Sequence, residues 1–320
     1  VIFLDHFFSD ITGEDIYEDE FYDLYEDDGA DPFDDFEYYI NPFDPEGEQS
    51  GGPSSVVIEE LLQRDWNLPD SPIYLKDDLP LSKVEKSFFF DNARQFLLTL
   101  KEEKSFPLTR SGLLKRKTVK RLLKQTRWPD NYIETMTEDR ERPDETDIWL
   151  LHGIRVLLDM AELIEEQENS FRLNKKVKHM LDEENAGQLY RHLFSVYFKE
   201  MNLGYLGSTF ELPHLQYSVP FILFKLHKLA KNWIPIEDLL PQILLYPVTL
   251  ELQFEDLEGT SIAHDLLHDD LFSSLRRFGL IETRNSDDNP PDLDQEGFFT
   301  YPDQIRVTPL MEQFIVFNVE

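Results

Sequence analysis

Cysteine is absent from all 320 residues. Its absence removes disulfide frameworks, thiolate zinc sites, iron–sulfur clusters and cysteine nucleophiles, so any metal has to sit on histidine and carboxylate. Glycine is scarce, at 13 residues, and neither a Gly-rich phosphate loop nor a G-x-S-x-G elbow occurs. Nor is there a convincing Ser/His/Asp set, and His152, His179, His192, His214 and His227 are scattered on helical segments as structural or exposed residues. Apolar runs fall short of the roughly 18–20 residues that span a bilayer. The best of them, Val219–Leu229, is interrupted by Pro220, Lys225, His227 and Lys228. The start, Val1-Ile2-Phe3-Leu4-Asp5, lacks the basic region and apolar core of a signal peptide, and the missing initiator Met reads as a trimmed chain or a fragment. A cytoplasmic protein with no membrane partner and no cofactor is expected. Basic residues are the last shortage: 31 Lys+Arg against 64 Asp+Glu give a formal net charge of -33, which opposes polyanion binding by the molecule as a whole.

The charge is unevenly placed. Residues 1–50 hold 18 acids, from Asp5 to Glu48, and no Lys or Arg. Those acids alternate with aromatics such as Tyr17, Phe21, Tyr22, Tyr25, Phe36, Tyr38 and Tyr39. Like charges oppose collapse while the rings favour it. One reading is a solvated acidic tail. The sharper one is an interaction segment, with rings as anchors and carboxylates as steering charge toward a basic surface on a protein partner. The cluster Gly47–Ser55 reads as the linker that ends this arm.

Beyond the linker, apolar periodicity predicts helices over Val56–Asp65, Ser82–Glu103, Leu113–Arg127, Asp147–Met160, Asn174–Leu181, Gly187–Met201, Tyr217–Ala230, Ile236–Leu245, Ala263–Phe278 and Leu310–Phe317, with a loop at Pro69–Pro80. Strand signals are short and paired: Leu163–Glu166 with Ser170–Leu173, and Leu280–Arg284 with Gln304–Thr308. These pairs expose an internal repeat. Leu157–Met160 leads through Ala161 into Leu163-Ile164-Glu165, a turn, Phe171–Asn174 and a helix. Leu275–Phe278 leads through Gly279 into Leu280-Ile281-Glu282, a longer turn, Ile305–Thr308 and a helix. Asn174 and Thr308 are expected to cap equivalent helices, and Gly279 to stop its helix in a left-handed conformation.

Helix, tight turn, hairpin and closing helix resemble the winged-helix module. The resemblance makes Asp147–Met160 and Ala263–Phe278 the recognition helices, and Glu165–Asn169 and Thr283–Asp303 the wing tips. Separately, Phe88–Leu206, with Phe106-Pro107-Leu108-Thr109, Trp128-Pro129 and the aromatic helix Leu193–Phe198, is similar to a group of uncharacterised bacterial proteins that often carry a zinc-binding SEC-C tail. That tail needs cysteines, which this chain lacks. The expected fold is mainly α with short β-hairpins: two winged-helix-like modules joined by a helical connector. The expected domains are an arm and linker over 1–55, a helical region with the first module over 56–205, and a connector with the second module over 206–320.

A DNA-reading helix needs Arg, Lys, Asn or Gln at base edges. These helices instead carry Asp147 and Asp159, or Asp265, Asp269 and Asp270, and the wings are acidic too. One segment differs. From Arg110 to Arg127 stand Arg110, Lys115, Arg116, Lys117, Lys120, Arg121, Lys124 and Arg127, with no acid among them. At about 100° per residue the six from Arg116 onward fall within an arc of roughly 140°, opposite Val119, Leu122 and Leu123. Such a stripe is a solvated face, a phosphate or acidic-partner surface, or a docking face for the arm, which would then act as an autoinhibitory cover or a nucleic-acid mimic.

Two patterns imitate metal sites. His264-Asp265-Leu266-Leu267-His268 sets two imidazoles at i and i+4, as in an H-E-x-x-H zinc helix. Asp292, Asp294, Glu296 and Asp303 have EF-hand spacing, although Asn289-Pro290-Pro291 and the following strand do not fit its flanks. Ordinary histidines and an acidic turn are the plainer readings of both. The function expected first is a non-enzymatic regulatory or adaptor protein acting through protein contacts. Second comes a nucleic-acid-associated regulator using the basic helix 115–127, and third a metal-dependent hydrolase at His264 and His268.

Overall fold

The computed structural model describes residues 55–62, 65–129, 131–138, 143–207, 211–252, 266–285 and 302–319, which all belong to the compact unit Ile40–Glu320. Residues 1–54 and 286–301, among others, lie outside these residues. Helix α1 (Ser55–Leu62) leads to strand β1 (Ile73–Leu75), a single turn α2 (Leu81–Val84) and helix α3 (Phe88–Glu103). The helix expected over Ser82–Glu103 is broken because Ser87 turns extended and its hydroxyl accepts from the Phe90 N–H at 3.3 Å, capping α3. Then follow β2 (Phe106–Pro107), α4 (Arg116–Gln125), α5 (Tyr132–Thr137), α6 (Trp149–Met160) and the hairpin β3 (Ile164–Gln167) with β4 (Ser170–Leu173). A 3-10 stretch, Lys175–Leu181, precedes α7 (Ala186–Lys199), and a short turn spans Leu203–Leu206. The second half runs α8 (Pro213–Leu229), β5 (Ile234–Pro235), α9 (Ile236–Ile243) and α10 (Tyr246–Glu251). It resumes with a π-helical turn at Leu267–Phe272 that continues into α11 (Ser273–Arg277), the strands β6 (Ile281–Arg284) and β7 (Gln304–Val307), α12 (Pro309–Phe314) and β8 (Ile315–Phe317). The fold is mainly helical, with short open strands.

Both halves build the same three-stranded antiparallel sheet. The strand orders are β2-β4-β3 and β5-β7-β6. Register repeats as well: Phe106 lies opposite Phe171 and Pro107 opposite Ser170, while Ile234 lies opposite Ile305 and Pro235 opposite Gln304. Proline is tolerated because β2 and β5 are edge strands. The first hairpin turns through Glu168 (φ 51°) and Asn169 (φ 57°), a two-residue loop of the type that matches strand twist. Its tip is therefore shorter than the expected Glu165–Asn169, since Glu165–Gln167 are paired into the strand.

Backbone hydrogen bonds align the repeat residue by residue. Leu163 N–H donates to Leu158 and Glu162 N–H to Asp159; Leu280 N–H donates to Leu275 and Gly279 N–H to Arg276. Each pair is a Schellman stop. The side chains of Asn174 and Thr308 then donate to the carbonyls of Glu162 and Gly279, at 2.9 and 2.7 Å, while capping the next helical turn. The sequence pattern pairs Ala161 with Gly279, but the hydrogen bonds pair Glu162 with it, a shift of one residue. Left-handed backbone marks that position in both copies, with φ 52° at Glu162 and 79° at Gly279.

Two expected elements change character. Ile73–Leu75, inside the expected loop, pairs antiparallel with Ile315–Phe317, the end of an expected helix. β-Branched Ile315 and Val316 favour extended backbone, and the Asn318 side chain donates to the carbonyls of Pro69 and Ser71, both at 2.7 Å. The core centres on Phe278. Its ring lies 5.1–6.1 Å from those of Phe89, Tyr190, Phe194, Tyr197 and Phe198, and Tyr190 Oη donates to its carbonyl at 2.7 Å. Aromatic pairs add about 0.5–1.5 kcal/mol each beyond their buried area.

The shared stop makes a paired prediction. A non-glycine residue in left-handed backbone is strained by about 1 kcal/mol. Glu162→Gly should raise the urea midpoint, and Gly279→Ala should lower it by a similar amount. Gly279 has room for a methyl group, with no heavy atom closer than 3.5 Å to the added carbon, so the loss reflects backbone conformation and not a clash. Equal and opposite shifts support the alignment; a destabilised Glu162→Gly protein refutes it.

Candidate functional site

Helix α4 carries the basic stripe. Thr118, Val119 and Leu122 are buried, which fixes the rotation of the helix and turns its charges outward. Arg110, in the turn before α4, and Lys115, Arg116, Lys117, Lys120, Arg121, Lys124 and Arg127 are all exposed. Anchors from α3 hold the helix in place. The buried Asn92 side chain donates to the Arg127 carbonyl at 2.9 Å and accepts from the Arg127 N–H at 2.8 Å, and Thr99 Oγ1 donates to Gln125 Oε1 at 2.7 Å. Lys115, Lys117, Lys120, Arg121 and Lys124, with Glu103, Pro107 and Thr118, line an open groove of about 450 Å³.

The electrostatics of this groove run against local stability. Among its described cations, Arg121 alone is ion-paired, to Glu102 at 3.4 Å and to Glu103. The N-cap of α4 is Lys115, with no side-chain cap and no acid in the first turn. A helix N-terminus favours anions by about 0.3–1 kcal/mol, so Lys115, Arg116 and Lys117 sit where the backbone dipole repels them. An anionic ligand would relieve both the mutual repulsion and the unanswered dipole.

The helices in the recognition position are enclosed. On α6, Leu150, Leu151, Gly153, Ile154, Leu157 and Leu158 are buried, and a Cβ on Gly153 would meet Leu206 at 2.2 Å. In the second copy Leu267, His268, Asp270, Leu271, Phe272, Ser273, Ser274 and Leu275 are buried. Of the described residues on these two helices only Asp159 and Met160, at the end of α6, are exposed; the others are buried or half-buried.

A polar network missed by sequence reasoning braces α6. Buried Glu145 accepts from Leu114 N–H at 2.6 Å, from Arg155 Nε at 2.9 Å and from His152 Nδ1 at 2.8 Å. His152 Nε2 meets Tyr205 Oη at 2.9 Å. Burial pushes the Glu145 carboxyl up, but the His152 hydrogen bond, the Arg155 charge and the Leu114 N–H outweigh it and hold the group below the ordinary carboxylate value. Burial raises the Tyr205 phenol, so it is not an activated nucleophile. The network ties the entry of α4, the loop before α6 and the Leu203–Leu206 turn together. Its signal in sequence was a histidine and an arginine three apart on an apolar helix, which need a buried acid.

The metal-like patterns come together only in part. His268 is buried, with Nδ1 3.2 Å from Asp269 Oδ1, and Asp303 is exposed just before β7. His264, Asp292, Asp294 and Glu296 lie outside the described residues. Among the described residues no group of three or more His, Cys, Asp or Glu could hold a metal ion. No helix among them is long and apolar enough to cross a membrane.

Residues 85–187 match the family model of the Y4jL N-terminal domain. The match runs from just before α3 to the start of α7, enclosing the first sheet, the basic stripe and Glu145 with its partners. It overlaps the middle region that carried the second resemblance, and the second copy of the topology lies beyond it. No curated protein and no solved structure matches the chain.

Because its folded pKa is depressed, Glu145 contributes stability above the ordinary value of 4.5, and this contribution is lost as pH falls through the folded value. Glu145→Gln should therefore cost roughly 3 kcal/mol at pH 7, with the gap to the unmodified protein narrowing below pH ~4. Urea unfolding at pH 7 and pH 3.5 measures it; a gap independent of pH removes the charged network.

Proposed function

We propose that the recurring topology is that of a winged helix, present in two copies, and that the protein is a non-enzymatic adaptor that binds an acidic protein segment in the groove beside α4. The observation that carries this reading is the set of exposed, largely unpaired cations around an uncapped helix start. Protein is favoured over nucleic acid for three reasons. The whole chain bears -33, both helices in the recognition position are enclosed, and the first wing ends in a two-residue turn too short to reach along a duplex. The acidic-aromatic arm gives the adaptor a second contact, toward a basic surface on its partner. A nucleic-acid-associated regulator using Arg116, Lys117, Lys120, Arg121, Lys124 and Arg127 is the second reading, favoured by the same stripe.

Full-length protein titrated with a fluorescent poly-glutamate peptide and with duplex DNA separates the two. The peptide should bind with an affinity that falls steeply with salt, and Lys117→Glu with Lys120→Glu and Lys124→Glu should weaken it by at least about tenfold. DNA binding of equal strength, lost in the same variant, would give the nucleic-acid reading the place of the first.

A further inference from the structure

Glu103 is placed against the preference of its own helix. It is the last residue of α3, where an acid opposes the helix dipole. Among the described residues that line the groove beside α4 it is also the one acid. The backbone fixes its position. Lys104 follows in left-handed conformation, at φ 69°, and leads the chain into β2, whose buried Phe106 ring lies 5.3 Å from that of Phe96 on α3. On α4, buried Val119 and Leu122 set the rotation of the helix and with it the position of Arg121. The Arg121 guanidinium meets Glu103 through Nη1 and Glu102 through Nη2, the latter at 3.4 Å. Glu103 is the more enclosed of the two acids, with its side chain 28% exposed against 68% for Glu102.

The edge strand beside the pair leaves a peptide little but charge to hold it. Pro107 lines the groove and has no N–H to give. Its carbonyl accepts from the Lys115 N–H at 3.3 Å, and the Leu108 N–H donates to the Asn169 carbonyl at 2.9 Å. A peptide therefore does not extend the sheet at β2 as a further strand. It is held by the cations of the groove, and Glu103 competes with it on the same terms, carboxylate for carboxylate. We propose that Glu103 is an internal competitor for the groove: its carboxylate occupies the Arg121 guanidinium until an acidic peptide displaces it, so the pair penalises every ligand by a fixed factor and admits those with enough negative charge to overcome it. Two features suit the pair to this exchange. An exposed ion pair is weak and screened by salt, so it yields, and the guanidinium fork it releases matches a ligand carboxylate. Arg121 also stands four residues, about 6 Å along the helix axis, beyond Lys117. A peptide that first engages the start of α4 reaches the guanidinium with its next carboxylates. The inference rests on the acidic-peptide reading of the groove and adds the means by which its affinity is set.

The probe is a fluorescent octaglutamate peptide, titrated into the full chain and into its Glu103→Gln, Arg121→Gln and doubly substituted forms. Glu103→Gln should tighten binding about three- to fivefold while Arg121 is present. In the Arg121→Gln protein the same substitution should change affinity by less than about 1.5-fold, because the competitor has lost the group it occupies. An equal or larger gain without Arg121 makes Glu103 a bystander charge that merely repels the peptide. No gain in either host means that it does not compete at all. Each of these results overturns the internal competitor and leaves the acidic-peptide reading standing. Binding that emerges only after Glu103→Gln supports both. Octaglutamate that binds none of the four proteins overturns the reading of the groove and the competitor with it.

Discussion

Phe278 closes a helix inside a ring of aromatics, and much of the molecule follows from that burial. A helix end carries carbonyls with no intrahelical partner. Here they lie in a core where water cannot answer them, so protein groups must: the left-handed stop at Gly279, the Tyr190 hydroxyl and the Ser87 hydroxyl. Ser87 belongs to the first copy of the topology and Phe278 to the second, so the satisfaction of one copy's backbone depends on the other. The same burial encloses the helix that, in a DNA reader, would be its working face. Helix α4, by contrast, has only one side packed and leaves its cations exposed.

Backbone chemistry was the most legible part of the sequence. Hairpins were readable from β-branched pairs around polar turns, and the caps at Asn174 and Thr308 from their residue types. The stop at Glu162 was hidden because nothing in a glutamate announces left-handed backbone; only a glycine does, and the first copy has none there. β1 and β8 were illegible for a different reason. Three-residue strands have no period to read, and theirs is a pairing between distant segments. In the candidate site, the stripe was visible as a run of cations without acids. The network around Glu145 was not, since Leu114, Glu145, His152 and Tyr205 come from segments that only the tertiary fold brings together.

Net charge misleads when averaged over this chain. The value of -33 says little about a surface a few Debye lengths wide, because exposed charges farther apart than about 8 Å are largely screened at physiological salt. At the scale of one groove the protein is cationic. Sequence-wide acidity and a local cationic groove are then compatible: the first opposes association with polyanions at large, and the second is set by the few side chains that line it.

The pairing of Ile73–Leu75 with Ile315–Phe317 reaches into the life of the nascent chain. The contact between Pro69 and Asn318 that seals it spans 249 residues of sequence. At a synthesis rate of about 5–20 residues per second, β1 waits on the order of ten to fifty seconds for its partner. Throughout that interval an apolar strand edge stands open beside a growing chain, which is the arrangement chaperones and neighbouring nascent chains exploit. Only once Ile315–Phe317 has been made can that edge be covered.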